Sequence, residues 1–120
     1  MKSKIIIAGT AGFIGVALGA FGAHGLKNSL TVEMLEIFKT GILYHLIHSV
    51  ALLAIALFDK KEFSKAFYFI LVGILLFSFS LYFYSITAVK IFALITPIGG
   101  VSFLAGWALI IWNGIKHNSK

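Results

Sequence analysis

The chain has 120 residues, 60% of them hydrophobic and 12% charged, too little polar surface to clothe a water-soluble globule of this size. Its formal charge of +6 comes from ten lysines and no arginine. These lie at the chain ends and between apolar runs, not in one patch interleaved with stacking aromatics, which argues against nucleic acid and for anionic lipid headgroups. Cysteine is absent, so disulfides, thiolate metal sites, cysteine nucleophiles and lipoprotein attachment are excluded together.

A bilayer core about 30 Å thick needs about 20 apolar residues per helical span, so four spans consume most of this chain. The first apolar run covers residues 5–23, preceded by Lys2 and Lys4 and followed by His24 and Lys27. A basic start and small residues near Ala20 and Gly22 also fit a secretory signal peptide, but the length favours a retained span. Residues 30–39 change character: Leu30, Met34, Leu35, Ile37 and Phe38 alternate with Thr31, Glu33, Glu36 and Lys39. That pattern predicts a short amphipathic helix lying at the interface, capped by Ser29 or Thr31.

The second span is predicted over 42–58 and ends at the charged run Asp59, Lys60, Lys61, Glu62, a turn so tight that the helices it joins are antiparallel neighbours. The third covers 63–86 and the fourth 91–112, with Lys90 between them. Pro97 in the fourth either starts the helix or kinks it, and Thr96 is placed to satisfy a freed carbonyl. The fold class is therefore all-α: one integral membrane bundle of four transmembrane helices plus the interfacial helix. Counting lysines on alternate sides gives Lys2, Lys4, Lys60, Lys61, Lys65, Lys116 and Lys120 against Lys27, Lys39 and Lys90. The excess places both termini in the cytoplasm.

Lipid tails remove the hydrophobic drive for helix association, so small residues must supply close contact. Ala11, Gly15, Gly19 and Ala23 form one ridge that Gly12 broadens, and Gly99, Ser102 and Gly106 form another. Such seams serve packing within the bundle or a homo-oligomer.

On this topology His24 ends the first span on the outer side, where His45 and His48 begin the second. Ser78, Tyr82 and Thr96 fall on the same side, so these six residues make a candidate polar cluster. Ionisable groups inside a membrane are costly and count as functional hypotheses. The cluster can tie helix ends together, relay protons, hold a transition metal, or recognise a headgroup, quinone or small solute. Tying helices is preferred, since an i,i+3 histidine pair without a carboxylate is a weak metal signature. No metal or cofactor is assigned. The spans carry no Asp or Glu, so neither a hydrolase triad nor a carboxylate relay assembles. Trp107 has an ordinary apolar reading, and Trp112, near Lys116, belongs to the aromatic belt.

Four strings carry a resemblance: GAFGAHGL at 19–26, TGILYHLIH at 40–48, LFSFSLY at 76–82 and TPIGGVSFLAGWAL at 96–109. Together they resemble the YgdD-like small inner-membrane proteins, a family catalogued as a domain of unknown function with relatives among small eukaryotic transmembrane proteins. The resemblance covers essentially the whole chain. It implies a four-span protein of a bacterial cytoplasmic membrane and transfers no activity, substrate or catalytic residue. His45 stands where relatives are expected to carry a polar amide, which sets a three-histidine metal site apart from the family pattern. The sequence thus points to a non-enzymatic membrane bundle that contacts lipid and a protein partner or a second copy. A transporter or channel component, and a metal- or quinone-binding protein, are its rivals.

Overall fold

The computed structural model describes residues 2–118. Four helices follow one another: α1 (Lys2–Gly25), α2 (Val32–Phe58), α3 (Lys61–Thr87) and α4 (Lys90–Asn118). All four are long and apolar enough to cross a membrane. They form an antiparallel up-and-down bundle in which α1 packs along α2, α2 along α3, and α3 along α4.

The separate interfacial helix does not form; residues 32–39 are the opening turns of α2. Thr31 does cap, but it caps the long helix: its Oγ1 accepts from the Met34 N–H at 3.1 Å, with Glu33 in the first turn where the helix dipole favours a carboxylate. Nothing between Thr31 and Ile42 then stops propagation. Thr40 bonds back to the Glu36 carbonyl at 3.0 Å, and Gly41, the one weak helix former, lies under the Tyr82 ring. Phe38 is 1% exposed inside the bundle, so the amphipathic pattern marks a bundle helix leaving the membrane and not one lying upon it.

This moves the histidines. α2 rises about 40 Å against a hydrocarbon core of about 30 Å, and His45 is the middle residue of its 27. His45 therefore stands midway along α2 and not at its outer end.

The α2–α3 and α3–α4 connections turn through left-handed residues, Asp59 (φ 52°) and Ala88 (φ 59°), whose N–H groups bond Ile55 and Tyr84 carbonyls. Lys4 Nζ donates to Ser64 Oγ at 2.9 Å, and His117 Nδ1 lies 3.2 Å from Glu62 Oε2. The start of α1, the α2–α3 turn and the end of α4 thus share one end of the bundle. Of the lysines assigned to that end, Lys120 lies outside the described residues.

Two wide π-helical turns interrupt α1 (Leu18–Gly22) and α3 (Ile74–Ser78). The second coincides with a close approach of α3 and α4. A Cβ on Gly99 would fall on the Leu76 and Phe77 backbone, so α4 and α3 meet main chain to main chain there. Pro97 lies inside α4, which starts at Lys90. Thr96 Oγ1 bonds the Phe92 carbonyl at 3.2 Å and pairs with Ser80 Oγ at 2.6 Å, anchoring the proline turn to α3.

The small residues line these contacts. A Cβ at Gly15 would meet Leu46 and His45, and one at Gly19 would meet Ile42, so that ridge faces α2; Gly12 lies beside Ser49 and Ala11 is buried. On α4, Gly106 rests on Ile70 and Ser102 Oγ donates to the Phe69 carbonyl at 2.7 Å, so Gly99, Ser102 and Gly106 all face α3. Large apolar side chains such as Phe13, Phe21, Leu94 and Leu104 point outward, the surface that lipid covers.

Candidate functional site

Two nodes of interior polar side chains lie on α2, about one turn apart and bonded to different helices. In the first, His45 is 1% exposed; its Nδ1 lies 2.8 Å from Tyr82 Oη on α3, and its Nε2 lies 2.8 Å from the Ala11 carbonyl oxygen on α1. A carbonyl can only accept. Nε2 therefore carries a proton and donates to Ala11, and in the neutral ring Nδ1 is then the acceptor of the Tyr82 hydroxyl proton.

The ridge on α1 explains how the ring gets there. A Cβ at Gly15 would stand 3.2 Å from His45 Cδ2, so the missing side chain opens the space through which His45 reaches the α1 backbone. Tyr82 is placed from the other side by packing on Phe38, with ring centroids 5.0 Å apart, and over Gly41.

In the second node, His48 Nδ1 lies 2.7 Å from the Tyr44 carbonyl oxygen one turn back, and Trp107 Nε1–H on α4 donates to His48 Nε2 at 3.0 Å. The same logic gives the opposite tautomer: Nδ1 carries the proton and Nε2 is the acceptor. The ring is stacked on Phe103 with centroids 3.7 Å apart and planes 16° from parallel.

His48 is thus neutral, the neutral form of His45 takes the opposite tautomer, and all four ring nitrogens are paired. Neither ring keeps a lone pair for a metal ion, and among the described residues no group of three or more His, Cys, Asp or Glu is placed to hold one. The two nodes join α2 to each of the other three helices.

The remaining candidates are distributed. His24 is exposed near the end of α1, thirteen residues and roughly 20 Å along the helix from Ala11, so it meets neither of the other histidines. Ser78 is fully buried in the π-turn of α3, and its Oγ has no hydrogen-bond partner among the described residues. Thr96 pairs with Ser80, not with a histidine. The sequence reading passed over Trp107 as a span residue of ordinary apolar character. Its only signal was that Phe103 and Trp107, four apart, share a helix face next to the small-residue seam.

Comparison with known proteins then places the chain. A family model described as "Protein of unknown function (DUF423)" matches residues 18–100. The inner membrane protein YgdD of Escherichia coli (strain K12) is 41% identical over 123 residues, covering 99% of this chain and 94% of that protein. This chain belongs to the DUF423 family. Further family members are similar along their whole length: the membrane protein YwdK of Bacillus subtilis is 37% identical over 98% of this chain and 99% of its own, and a Haemophilus influenzae membrane protein is 42% identical over 99% of each. No solved structure matches.

The family names and the four spanning helices together identify a small multi-pass inner-membrane protein. The family match contains His45, His48, Tyr82 and Thr96 and stops before Ser102, Gly106 and Trp107, whereas the full-length relatives align over both nodes.

Proposed function

We propose that this DUF423 protein is a non-enzymatic membrane bundle in which α2 acts as the hub, its two neutral histidines holding α1, α3 and α4 in one fixed register. The observation that carries the reading is the pair of opposite tautomers: His45 gives to Ala11 and takes from Tyr82, while His48 gives to Tyr44 and takes from Trp107. An imidazole engaged at both nitrogens serves poorly as base, nucleophile or metal ligand but well as a cross-link between helices in a medium where an unpaired polar group is costly. The bundle so fixed offers its outer apolar faces to lipid and to a membrane-protein partner or a second copy.

In this reading the end bearing the chain termini and the α2–α3 turn faces the cytoplasm, supported by the seven-to-three lysine excess counted along the sequence. A single cysteine at Lys60 reports this directly: labelling by a membrane-impermeant thiol reagent from outside intact cells would reverse the assignment.

Elemental analysis and native mass spectrometry of the gently purified protein test the hub role against its rivals. The reading expects protein without stoichiometric transition metal. A metal that is retained one-to-one and lost when His45 and His48 are replaced would replace it with a metal-centre function.

A further inference from the structure

Tyr44 is one residue from the middle of α2, about 18 Å along the helix from Val32, so in a bundle that spans a bilayer it lies near mid-depth. Tyrosine normally sits in the interfacial belts, where its hydroxyl meets water or headgroups. Here the side chain is 39% exposed on the lipid-facing surface, and its hydroxyl has no hydrogen-bond partner among the described residues. An unpaired donor in hydrocarbon is unfavourable, and at this depth the usual acceptors are out of reach. Water is excluded, and phospholipid ester carbonyls lie about 15 Å away at the edge of the apolar core.

Tyr44 lines a cleft between α2 and α4 to which α3 contributes Phe77. Its volume is about 430 Å³, within the range of small-molecule sites. Tyr44, His48, Phe77, Gly100, Phe103 and Trp107 line it, Gly100 standing beside the Phe77 ring. The rings pack on one another, Tyr44 on Phe77 at 4.6 Å and His48 on Phe103 at 3.7 Å, so the wall is a braced aromatic surface. No lysine, aspartate or glutamate lines the cleft, which selects a neutral occupant. Both nitrogens of His48 and the Trp107 N–H are already engaged, so Tyr44 Oη is the donor left for a ligand.

We infer that this cleft binds a neutral, membrane-dissolved planar ring carrying a carbonyl oxygen, of the quinone type, with the ring against the aromatic wall and the oxygen on the Tyr44 hydroxyl. The ring supplies the stacking area, the carbonyl supplies the acceptor that the bilayer core lacks, and an apolar tail lies in the lipid. This binding is separate from the helix-holding role of His48 and Trp107, because Tyr44 contributes to that node only through its backbone carbonyl.

The chain's two tryptophans make the test direct, since Trp107 lines the cleft and Trp112 does not. The full chain with Trp112→Phe, in phosphatidylcholine nanodiscs, is titrated with decylubiquinone while Trp107 fluorescence is read. Saturable quenching is expected. Tyr44→Phe, which keeps the ring and the backbone, raises the apparent Kd about five- to tenfold, the worth of one hydrogen bond. Gly100→Leu, filling the cleft, abolishes the saturable component, and decylbenzene, which has no acceptor oxygen, does not compete. Non-saturating quenching equal to that of Trp112 in a Trp107→Phe protein would overturn the proposal. So would an affinity unchanged by Tyr44→Phe, or equal competition by decylbenzene.

Discussion

His48 and Trp107, 59 residues apart in the chain, are joined by an indole N–H that donates to the imidazole Nε2 at 3.0 Å, and the Tyr44 carbonyl holds the other ring nitrogen in the tautomer that makes this bond allowed. An imidazolium at this position would set N–H against N–H. The bond therefore requires a neutral ring, and the bond with the Phe103 stack fixes α4 against α2.

Trp107→Phe keeps an aromatic ring but strands the His48 Nε2 lone pair, and it is expected to lower the stability of the bundle by about 1–2 kcal/mol. Replacing both residues, as His48→Phe with Trp107→Phe, removes donor and acceptor together and is expected to cost less than the two single changes summed. Unfolding in mixed detergent micelles, arranged as a double-mutant cycle, measures the coupling. A coupling energy of zero would mean that the two side chains are neighbours without being partners.

At His45 the requirement is one donor towards Ala11 and one acceptor towards Tyr82, which a carboxamide also supplies. His45→Gln is therefore expected to retain most of the stability, whereas His45→Leu leaves the Tyr82 hydroxyl and the Ala11 carbonyl without this partner and costs about 1–3 kcal/mol more. Tyr82→Phe is expected to matter in the His45 protein and far less in the His45→Leu background. Equal effects in both backgrounds would remove the hydrogen bond from the account.

The glycines of α4 separate by environment. Gly99→Ala puts a methyl group onto the α3 main chain at Leu76 and Phe77, where no side chain can swing aside, and is expected to cost about 3 kcal/mol or more. Nothing lies within 4 Å of a Cβ at Gly114, so Gly114→Ala is expected to be neutral or to stabilise by up to about 1 kcal/mol. Thermal denaturation of the two variants side by side checks the ordering.

Much of this architecture is legible in the sequence, for identifiable reasons. Long charge-free runs separated by lysines admit few readings other than four spans. The start of α2 is not legible in this way: Glu33, Glu36 and Lys39 opposite Leu35 and Phe38 give the same local pattern whether a helix lies on a membrane or rises out of a bundle. That one ambiguity leaves the place of His45 along α2, and its distance from His24, open in the sequence. The four-residue spacing of the small residues is visible along the chain, but which neighbour each ridge faces depends on packing between distant segments. Trp107 is hidden for a related reason. A tryptophan inside an apolar run shows no partner along the chain, and only the packing of α4 beside α2 brings its N–H to His48, 59 residues away. Tautomers are set by long-range partners, so no local pattern announces them.

The measurement that bears most directly on the hub role is nitrogen-15 NMR of the histidine side chains in lipid bicelles at neutral pH, with signals assigned through His45→Gln and His24→Gln proteins. The expected spectrum has two buried, neutral imidazoles in opposite tautomers, His45 protonated at Nε2 and His48 at Nδ1. Two rings in the same tautomer, or an imidazolium at either position, would contradict the cross-linking scheme and with it the role of α2 as the hub of the bundle.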